Sequence, residues 1–167
     1  MKKLLFILLL TIPFIGFGQE ELVKEYYENG QVEIEGMLKN GEEEGLWKTY
    51  YENGQLEMEG SFQNGGKEGL WKTYYENGQL KIEQEVKGDK INGVFKHYYE
   101  NGQLNQNGYM KNEKSEGFWK FYYENGELKQ EGKYENGLQE GIWIYYNENS
   151  QLKGTVTWKN GIPLKKY

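Results

Sequence analysis

Residues 45–62 read Gly-Leu-Trp-Lys-Thr-Tyr-Tyr-Glu-Asn-Gly-Gln-Leu-Glu-Met-Glu-Gly-Ser-Phe, and close copies of this stretch recur along most of the chain. The hexapeptide Tyr-Tyr-Glu-Asn-Gly-Gln returns, whole or with one change, at a step of 24 residues. Its copies begin at Tyr26, Tyr50, Tyr74, Tyr98 and Tyr122, and a degraded copy begins at Tyr145 after a step of 23. A fixed period of this length indicates one small supersecondary unit copied in tandem.

Each copy has the sequence signature of a β-hairpin. Asn53-Gly54 separates two runs rich in aromatic and aliphatic residues, which predicts a two-residue type I′ turn with positive φ at both residues. The corresponding turn glycines are Gly30, Gly54, Gly78, Gly102 and Gly126. Counting outward from Glu52 opposite Gln55 predicts these cross-strand pairs: Tyr51 with Leu56, Tyr50 with Glu57, Thr49 with Met58, Lys48 with Glu59, Trp47 with Gly60 and Leu46 with Ser61.

Strand alternation assigns these pairs to two faces. The first face is apolar, and we expect the Trp47 indole to cover the bare backbone of Gly60 opposite it. The same position is aromatic in every copy, which predicts a structural ladder of Trp47, Trp71, Phe95, Trp119 and Trp143. The count also places a lysine opposite a glutamate on the second face in four hairpins. These pairs mainly specify register.

The second face also carries a tyrosine row, predicted as Tyr50, Tyr74, Tyr98, Tyr122 and Tyr145. Tyrosine offers a large amphipathic contact area at low entropy cost, so this row is the candidate partner-binding face for a protein or a glycan. Ordinary cross-strand stacking of the tyrosines is the alternative interpretation.

One hairpin alone is not stable in water, so the copies must stack on one another. Glycine-bearing links such as residues 40–45 and 64–69 connect the hairpins. The sequence therefore predicts an all-β fold of tandem antiparallel β-hairpin repeats, about 24 residues each, in an elongated, twisted, open sheet.

The first 18 residues have the pattern of a signal peptide. Lys2 and Lys3 precede an apolar run that ends at Ile15, and Gly16 and Gly18 are small residues suited to cleavage. This run is too short for a membrane span of about 20 residues. We therefore expect cleavage after Gly18, a single array of about six repeats over residues 19–167, and a soluble exported protein in the periplasm or outside the cell.

Composition disfavours several functions. The chain has net charge −6 and contains no arginine, so nucleic acid is not an expected partner. Cysteine is absent, which excludes disulfides and a lipoprotein anchor. His97 is the only histidine, and the Glu42, Glu43, Glu44 run lies in a polar link. The sequence predicts no catalytic, metal or cofactor site and no enzyme activity.

The repeated segment Gly-Leu-Trp-Lys-Thr-Tyr-Tyr-Glu-Asn-Gly-Gln-Leu, followed by Glu-Gly and Asn-Gly, resembles the MORN repeat in the variant form of YwqK-type antitoxin proteins. The resemblance covers essentially residues 19–167. It implies an open sheet of tandem hairpins and a bacterial antitoxin that acts against a toxin. The aromatic-x-Gly-x-aromatic core of the ordinary repeat is only partly kept, with Met58-Glu-Gly-Ser-Phe62 in its place.

These observations favour a non-enzymatic, exported protein-interaction module, with an antitoxin-like or immunity-like role implied by the resemblance. The partner expected is a toxin or an envelope protein. Two alternatives stay open, a module that binds glycans or the cell wall and a passive structural scaffold.

Overall fold

The computed structural model describes residues 10–11 and 19–166 of the chain, and every regular element among them is a β-strand. The predicted signal segment, residues 1–18, lies outside the described residues except for Leu10 and Thr11. The strands are β1 (Leu10–Thr11), β2 (Glu20–Tyr26), β3 (Val32–Lys39), β4 (Glu42–Tyr50), β5 (Leu56–Gln63), β6 (Gly66–Tyr74), β7 (Leu80–Lys87), β8 (Lys90–Tyr98), β9 (Leu104–Lys111), β10 (Lys114–Tyr122), β11 (Leu128–Glu135), β12 (Leu138–Tyr146), β13 (Leu152–Lys159) and β14 (Ile162–Lys166).

The chain forms two compact units. The first contains residues 1–80 and 86–89, and the second contains residues 81–85 and 90–167. In the first unit β1 to β6 pair antiparallel in chain order, and in the second β8 to β14 do the same. Strand β7 contributes residues to both units. The prediction of tandem antiparallel hairpins in an open sheet is confirmed.

The loop that follows each Tyr-Tyr pair is not the predicted two-residue turn. The Tyr51 N–H donates to the Gln55 carbonyl and the Gly54 N–H donates to the Tyr51 carbonyl, which makes a three-residue loop. Positive φ occurs at Gly54 (81°) but not at Asn53. A type I turn followed by a left-handed glycine has this pattern. All five predicted turn glycines have positive φ, as the third residue of such a loop.

The longer loop shifts the pairing near the turn by one residue. Tyr50 pairs with Leu56, so the predicted pairs Tyr50 with Glu57 and Tyr51 with Leu56 are wrong. Glu57 is the extra residue of a β-bulge, after which Thr49 pairs with Met58. The bulge restores the predicted register for the rest of the hairpin, so the pairs Lys48 with Glu59, Trp47 with Gly60 and Leu46 with Ser61 are confirmed.

The two-residue turns, which we predicted after each Tyr-Tyr pair, lie in the links instead. Asn64 and Gly65 have φ of 50° and 76°, and the strand pair closes directly outside them with Gln63 opposite Gly66. Positive φ at both turn residues recurs at Asn40-Gly41, Gly88-Asp89, Asn112-Glu113, Asn136-Gly137 and Asn160-Gly161. A type I′ turn requires this conformation.

A second glycine, two residues before each of Trp47, Trp71, Trp119 and Trp143, places the indole. Gly45 has φ of 70°, and the stretch from Gly45 to Trp47 lies opposite the single residue Gly36 of β3. This wide bulge brings the Trp47 ring over Gly36, where a Cβ atom would overlap the ring. The predicted cover of Gly60 by Trp47 is therefore wrong. Gly60 is covered by Trp71 of the following strand.

The same arrangement holds in the second unit, where Trp119 covers Gly108 and Trp143 covers Gly132. Because each indole lies on the preceding hairpin, the tryptophan ladder joins successive repeats rather than the two strands of one hairpin. Trp71, Trp119 and Trp143 are buried, and Trp143 has no exposed surface. Edge-on ring contacts with Phe62 and Tyr134, at centroid distances of 5.1 and 5.0 Å, complete this packing.

Candidate functional site

The strands of each unit present two different faces. We call the side that carries the tryptophans the indole face, and the side that carries Tyr50 and Lys48 the tyrosine face. Indole nitrogens on the first face donate to backbone carbonyls of the preceding strand, from Trp47 to Met37 (3.1 Å) and from Trp143 to Lys133 (3.1 Å). The indole face is therefore occupied by the protein's own packing, which leaves the tyrosine face as the candidate site.

The second tyrosine of each Tyr-Tyr pair fastens one loop to the next. The Tyr51 hydroxyl donates to the Tyr74 carbonyl (2.7 Å), and the Asn53 side-chain amide donates to the Glu76 carbonyl (3.0 Å). Equivalent bonds run from Tyr99 to Tyr122 and from Tyr123 to Tyr146. This role was not predicted from the sequence. The signal for it was the repetition of the second tyrosine and the asparagine together.

The opposite ends of the strands are fastened in a similar way. The Glu44 carboxylate accepts the Asn64 backbone N–H (3.0 Å), and the Glu140 carboxylate accepts that of Asn160 (2.8 Å). At least one member of the run Glu42, Glu43, Glu44 is therefore a structural cap for the next turn rather than simply a solvated charge.

The first tyrosines form the predicted row, and they bond within the tyrosine face. The Tyr50 hydroxyl donates to Glu35 (2.5 Å), that of Tyr74 to Glu59 (2.7 Å) and that of Tyr146 to Glu131 (3.2 Å). The rings of Tyr50, Tyr74, Tyr98 and Tyr122 are half-buried. The row is thus part of the sheet's own packing as well as of its surface.

Tyr145 does not belong to this row. It pairs with Gly154, whereas Tyr146 pairs with Leu152 as Tyr50 pairs with Leu56. Adjacent residues of a strand point to opposite faces, so Tyr146 occupies the tyrosine face and Tyr145 the indole face. The step of 24 residues therefore continues to the last copy, where Ser150 (φ 59°) replaces the turn glycine.

Lysines and glutamates alternate across the strands beside the tyrosine row. In the first unit the register joins Lys24, Glu35, Lys48, Glu59 and Lys72 in this order. In the second unit Lys96 bonds to Glu83 (2.7 Å) and Lys120 lies 3.6 Å from Glu131. The predicted opposition of lysine and glutamate is confirmed for Lys24, Lys48 and Lys120. We call this feature the Lys–Glu row.

Burial and charge shift the pKa values of these groups. Burial, together with the bond to Glu35, raises the pKa of Tyr50 to about 12. The bond from Tyr50 lowers the pKa of the Glu35 carboxyl, with smaller contributions from Lys24. The bond to Glu83 raises the pKa of Lys96. Each shift favours the protonation state that the hydrogen bond requires.

These shifts predict a loss of stability at alkaline pH. The unfolded chain releases the Tyr50 proton from about pH 10, while the folded chain holds it to about pH 12, so the free energy of unfolding should fall between these values. Tyrosinate absorbance during a pH titration should show a late component, which Tyr50→Phe should reduce; Tyr51 and Tyr146, whose pKa values burial also raises, contribute to the remainder. In Glu35→Gln this component should move only part of the way toward pH 10, because burial remains. A Tyr50 that titrates near pH 10 in the unaltered protein would contradict this prediction.

In each unit, exposed apolar residues follow the bulge glycines on the tyrosine face, and we call them the apolar row. Its members are Leu46 and Leu70 in the first unit and Val94, Phe118 and Ile142 in the second. Phe118 is 79% exposed and Ile142 is 63% exposed. Tyr109, opposite Val94, is also exposed. The bulge that turns the tryptophan inward presents the preceding residue to solvent. Sequence analysis assigned Leu46 to this face without recognising the row.

The fourth copy, which contains Tyr98, departs from the others. Gln84 replaces the glycine that would lie under Phe95, and Phe95 replaces tryptophan. Here the Val94 N–H donates to the Glu85 carboxylate (2.9 Å), and Gly93 has φ of 149°. His97 lies in the same copy with Nδ1 3.3 Å from the Asn105 side-chain oxygen. This arrangement supplies no nucleophile or base in a shaped pocket.

Within the described ranges, no group of three or more acidic or histidine side chains could hold a metal ion. No helix among the same residues has the length and apolar character needed to cross a membrane.

The fold and its surfaces define a class, that of tandem β-hairpin repeat proteins in which one sheet face packs the repeats and the other presents side chains to solvent. The MORN repeat variant model matches six segments, residues 22–40, 43–64, 67–87, 91–112, 116–136 and 139–160. The chain belongs to the MORN repeat variant family. MORN repeats are generally modules for interaction with proteins or membranes, and the family is generally non-catalytic. A comparison with curated proteins gives no match.

Proposed function

We propose that this protein is a non-enzymatic interaction module that binds another protein through its tyrosine face. The observation that carries the proposal is the exposed apolar row, above all Phe118 and Ile142. Single exposed apolar residues are ordinary, but within one unit side chains aligned at a fixed step form a continuous feature. Phe118 and Ile142, both in the second unit, are two strands, or about 10 Å, apart, a spacing suited to an extended contact surface.

The neighbouring rows complete this surface. The Lys–Glu row lies two residues along each strand from the apolar row, and the tyrosine row lies two residues further. An apolar strip beside partly exposed charges and aromatic rings resembles the composition of a protein-binding surface. The tyrosine row, Tyr50, Tyr74, Tyr98 and Tyr122, enters the proposal as one margin of this surface.

The experiment compares the wild-type protein with the double variant Phe118→Ser, Ile142→Ser. Affinity capture from the native envelope fraction, followed by mass spectrometry, should identify a partner that the double variant loses at least tenfold. Ile162→Ser is the matched control, because Ile162 is equally exposed but lies on β14, away from the row. Equal capture by the double variant, with its fold intact by circular dichroism, would refute the proposal.

The finer forms of this proposal concern the compartment and the partner. We propose export with cleavage after Gly18, which amino-terminal sequencing of the native protein tests, since an intact Met1 would refute it. The resemblance suggests an antitoxin-like role, which requires that the captured partner be a toxin. If expression of this protein does not relieve the growth defect that the partner causes, the antitoxin-like role is refuted.

A glycan or cell-wall ligand is the second candidate, favoured by the flat, exposed Phe118 ring, on which a sugar could stack. Sedimentation with insoluble peptidoglycan distinguishes glycan binding from protein binding. Retention of the wild type but not of Phe118→Ser would favour the glycan, and no retention of either would exclude it. A passive scaffold is the remaining interpretation if both assays are negative.

A further inference from the structure

A glutamate between two lysines is the regular feature of the Lys–Glu row. Glu35 pairs in register with Lys24 on one side and Lys48 on the other, and its carboxylate also accepts the Tyr50 hydroxyl. Glu59 has the same surroundings, with Lys48, Lys72 and the Tyr74 hydroxyl. Each carboxylate therefore accepts one phenol and lies in register between two lysines, of which Lys24 forms an ion pair with Glu35 at 3.2 Å.

One position of the second unit lacks this carboxylate. Asn107 lies in register between Lys96 and Lys120, at the position where four other copies have glutamate and the last has Thr155. Tyr122 follows Asn107 by the same interval that separates Tyr50 from Glu35. The Asn107 Oδ1 atom is enclosed and makes no hydrogen bond within residues 19–166, so the amide does not replace the carboxylate.

The donors that would hold a carboxylate are all still present around Asn107. Paired residues on adjacent strands have Cβ atoms about 5 Å apart, which puts both lysine side chains within reach of a common oxygen. Each lysine has a glutamate on its far side only, Glu83 for Lys96 and Glu131 for Lys120. The ammonium groups lie against these two glutamates, and the paired strands supply no anion at the Asn107 position between the two lysines.

This place is open to a partner. The side chains of Lys96 and Lys120 are 38% and 51% exposed, respectively. Tyr109 and Phe118, both exposed, lie two residues along the same strands from Asn107 and Lys120. A ligand that contacts the exposed lysines on either side of Asn107 would therefore meet an apolar surface beside them.

We propose that Asn107, Lys96, Lys120 and Tyr122 form a binding site for a carboxylate, supplied by an acidic side chain of the partner protein next to an apolar residue. The inference rests on the proposed function and specifies part of that surface. An exposed ion pair contributes only about 0.2–1 kcal/mol, so a free carboxylate would bind weakly. Contact of the neighbouring apolar residue with Phe118 adds the burial that makes a peptide segment the better ligand.

The test is a titration followed by NMR, with N-acetyl-Glu-Leu-amide as the probe. The Asn107 side-chain amide and the backbone amides of Lys120 and Tyr122 should shift with the probe. N-acetyl-Gln-Leu-amide should give at least tenfold smaller shifts at the same concentration, and sodium acetate should bind more weakly than the acidic dipeptide. Equal shifts with the glutamine dipeptide would overturn the proposal, and acetate as effective as the dipeptide would overturn the assignment to a peptide ligand.

Two variants test the role of Asn107 itself. Asn107→Glu fills the place with the protein's own carboxylate, so it should abolish the response to the acidic dipeptide and raise the unfolding midpoint. Asn107→Gln, the neutral control, should keep the response. A normal response in Asn107→Glu, or a lowered midpoint, would contradict the site. If the dipeptide fails while Phe118→Ser, Ile142→Ser still loses the partner, this inference falls and the proposed function stands.

Discussion

Replacing Gly60 with alanine is expected to lower the free energy of unfolding by about 1–3 kcal/mol, a large effect for one methyl group. The φ angle of Gly60 is not positive, so alanine has no backbone strain there. The cost arises because the new Cβ would overlap the ring of Trp71, which is buried and has little room to move. Urea unfolding followed by tryptophan fluorescence measures the difference.

Gly66→Ala is the matched control from the first unit. Gly66 also lacks positive φ, but a Cβ there would meet the Asp89 carboxylate at 3.5 Å and the Gln63 carbonyl at 3.7 Å, which are ordinary contacts. Alanine at this site should change stability by less than about 0.5 kcal/mol. Equal losses in the two variants would mean that the indole does not lie over Gly60.

Truncation of Trp143 to alanine should have the largest effect of any single substitution considered, about 3–5 kcal/mol. Trp143 is fully buried, covers Gly132 and donates its indole N–H to the Lys133 carbonyl. Its removal leaves a cavity and an unpaired carbonyl between two hairpins. In a repeat array each copy contacts only its neighbours, so nearby copies cannot compensate.

Trp47→Ala provides the comparison, because Trp47 has the same indole bond but is only half-buried. Trp47→Ala should lower the free energy of unfolding clearly less than Trp143→Ala does in the same denaturation experiment. The reverse order would contradict the burial of the ladder described here.

The period and the Asn-Gly pairs predicted the hairpins and most of the register. Lys48 opposite Glu59 and Trp47 opposite Gly60 were correct although the turn type was wrong. The three-residue loop moves the pairing by one residue, and the bulge at Glu57 moves it back. Because Asn-Gly occurs in both the loops and the links, local propensity could not assign the type I′ turn to the link.

The indole contact was missed for a different reason. Counting residue pairs outward from a loop relates only the two strands that this loop joins. The Trp47 ring instead lies on Gly36 of the preceding hairpin. The glycine at position 45 was the available signal, since a left-handed residue inside a strand predicts a bulge. Recognising that bulge would also have predicted the exposure of Leu46.

The limits of local pattern matching also account for Tyr145. The last Tyr-Tyr pair begins one residue early because Tyr145 occupies a position at which none of the other copies has tyrosine. The Tyr-Tyr dipeptide therefore starts one residue early in the last copy, while the strands and the loop keep the step of 24 residues. Ser150 has positive φ and lies at the position of the turn glycine, which shows that the loop of the last copy keeps its place in the repeat.

The central claim is that one sheet face stabilises the protein and the other is free to bind, and the adjacent residues Phe118 and Trp119 test it most directly. The measurement is the free energy of unfolding of Phe118→Ser and of Trp119→Ala. We expect a change within about 0.5 kcal/mol for Phe118→Ser, because the ring is in solvent, and a loss of about 3–5 kcal/mol for Trp119→Ala. Comparable losses at both positions would contradict the account.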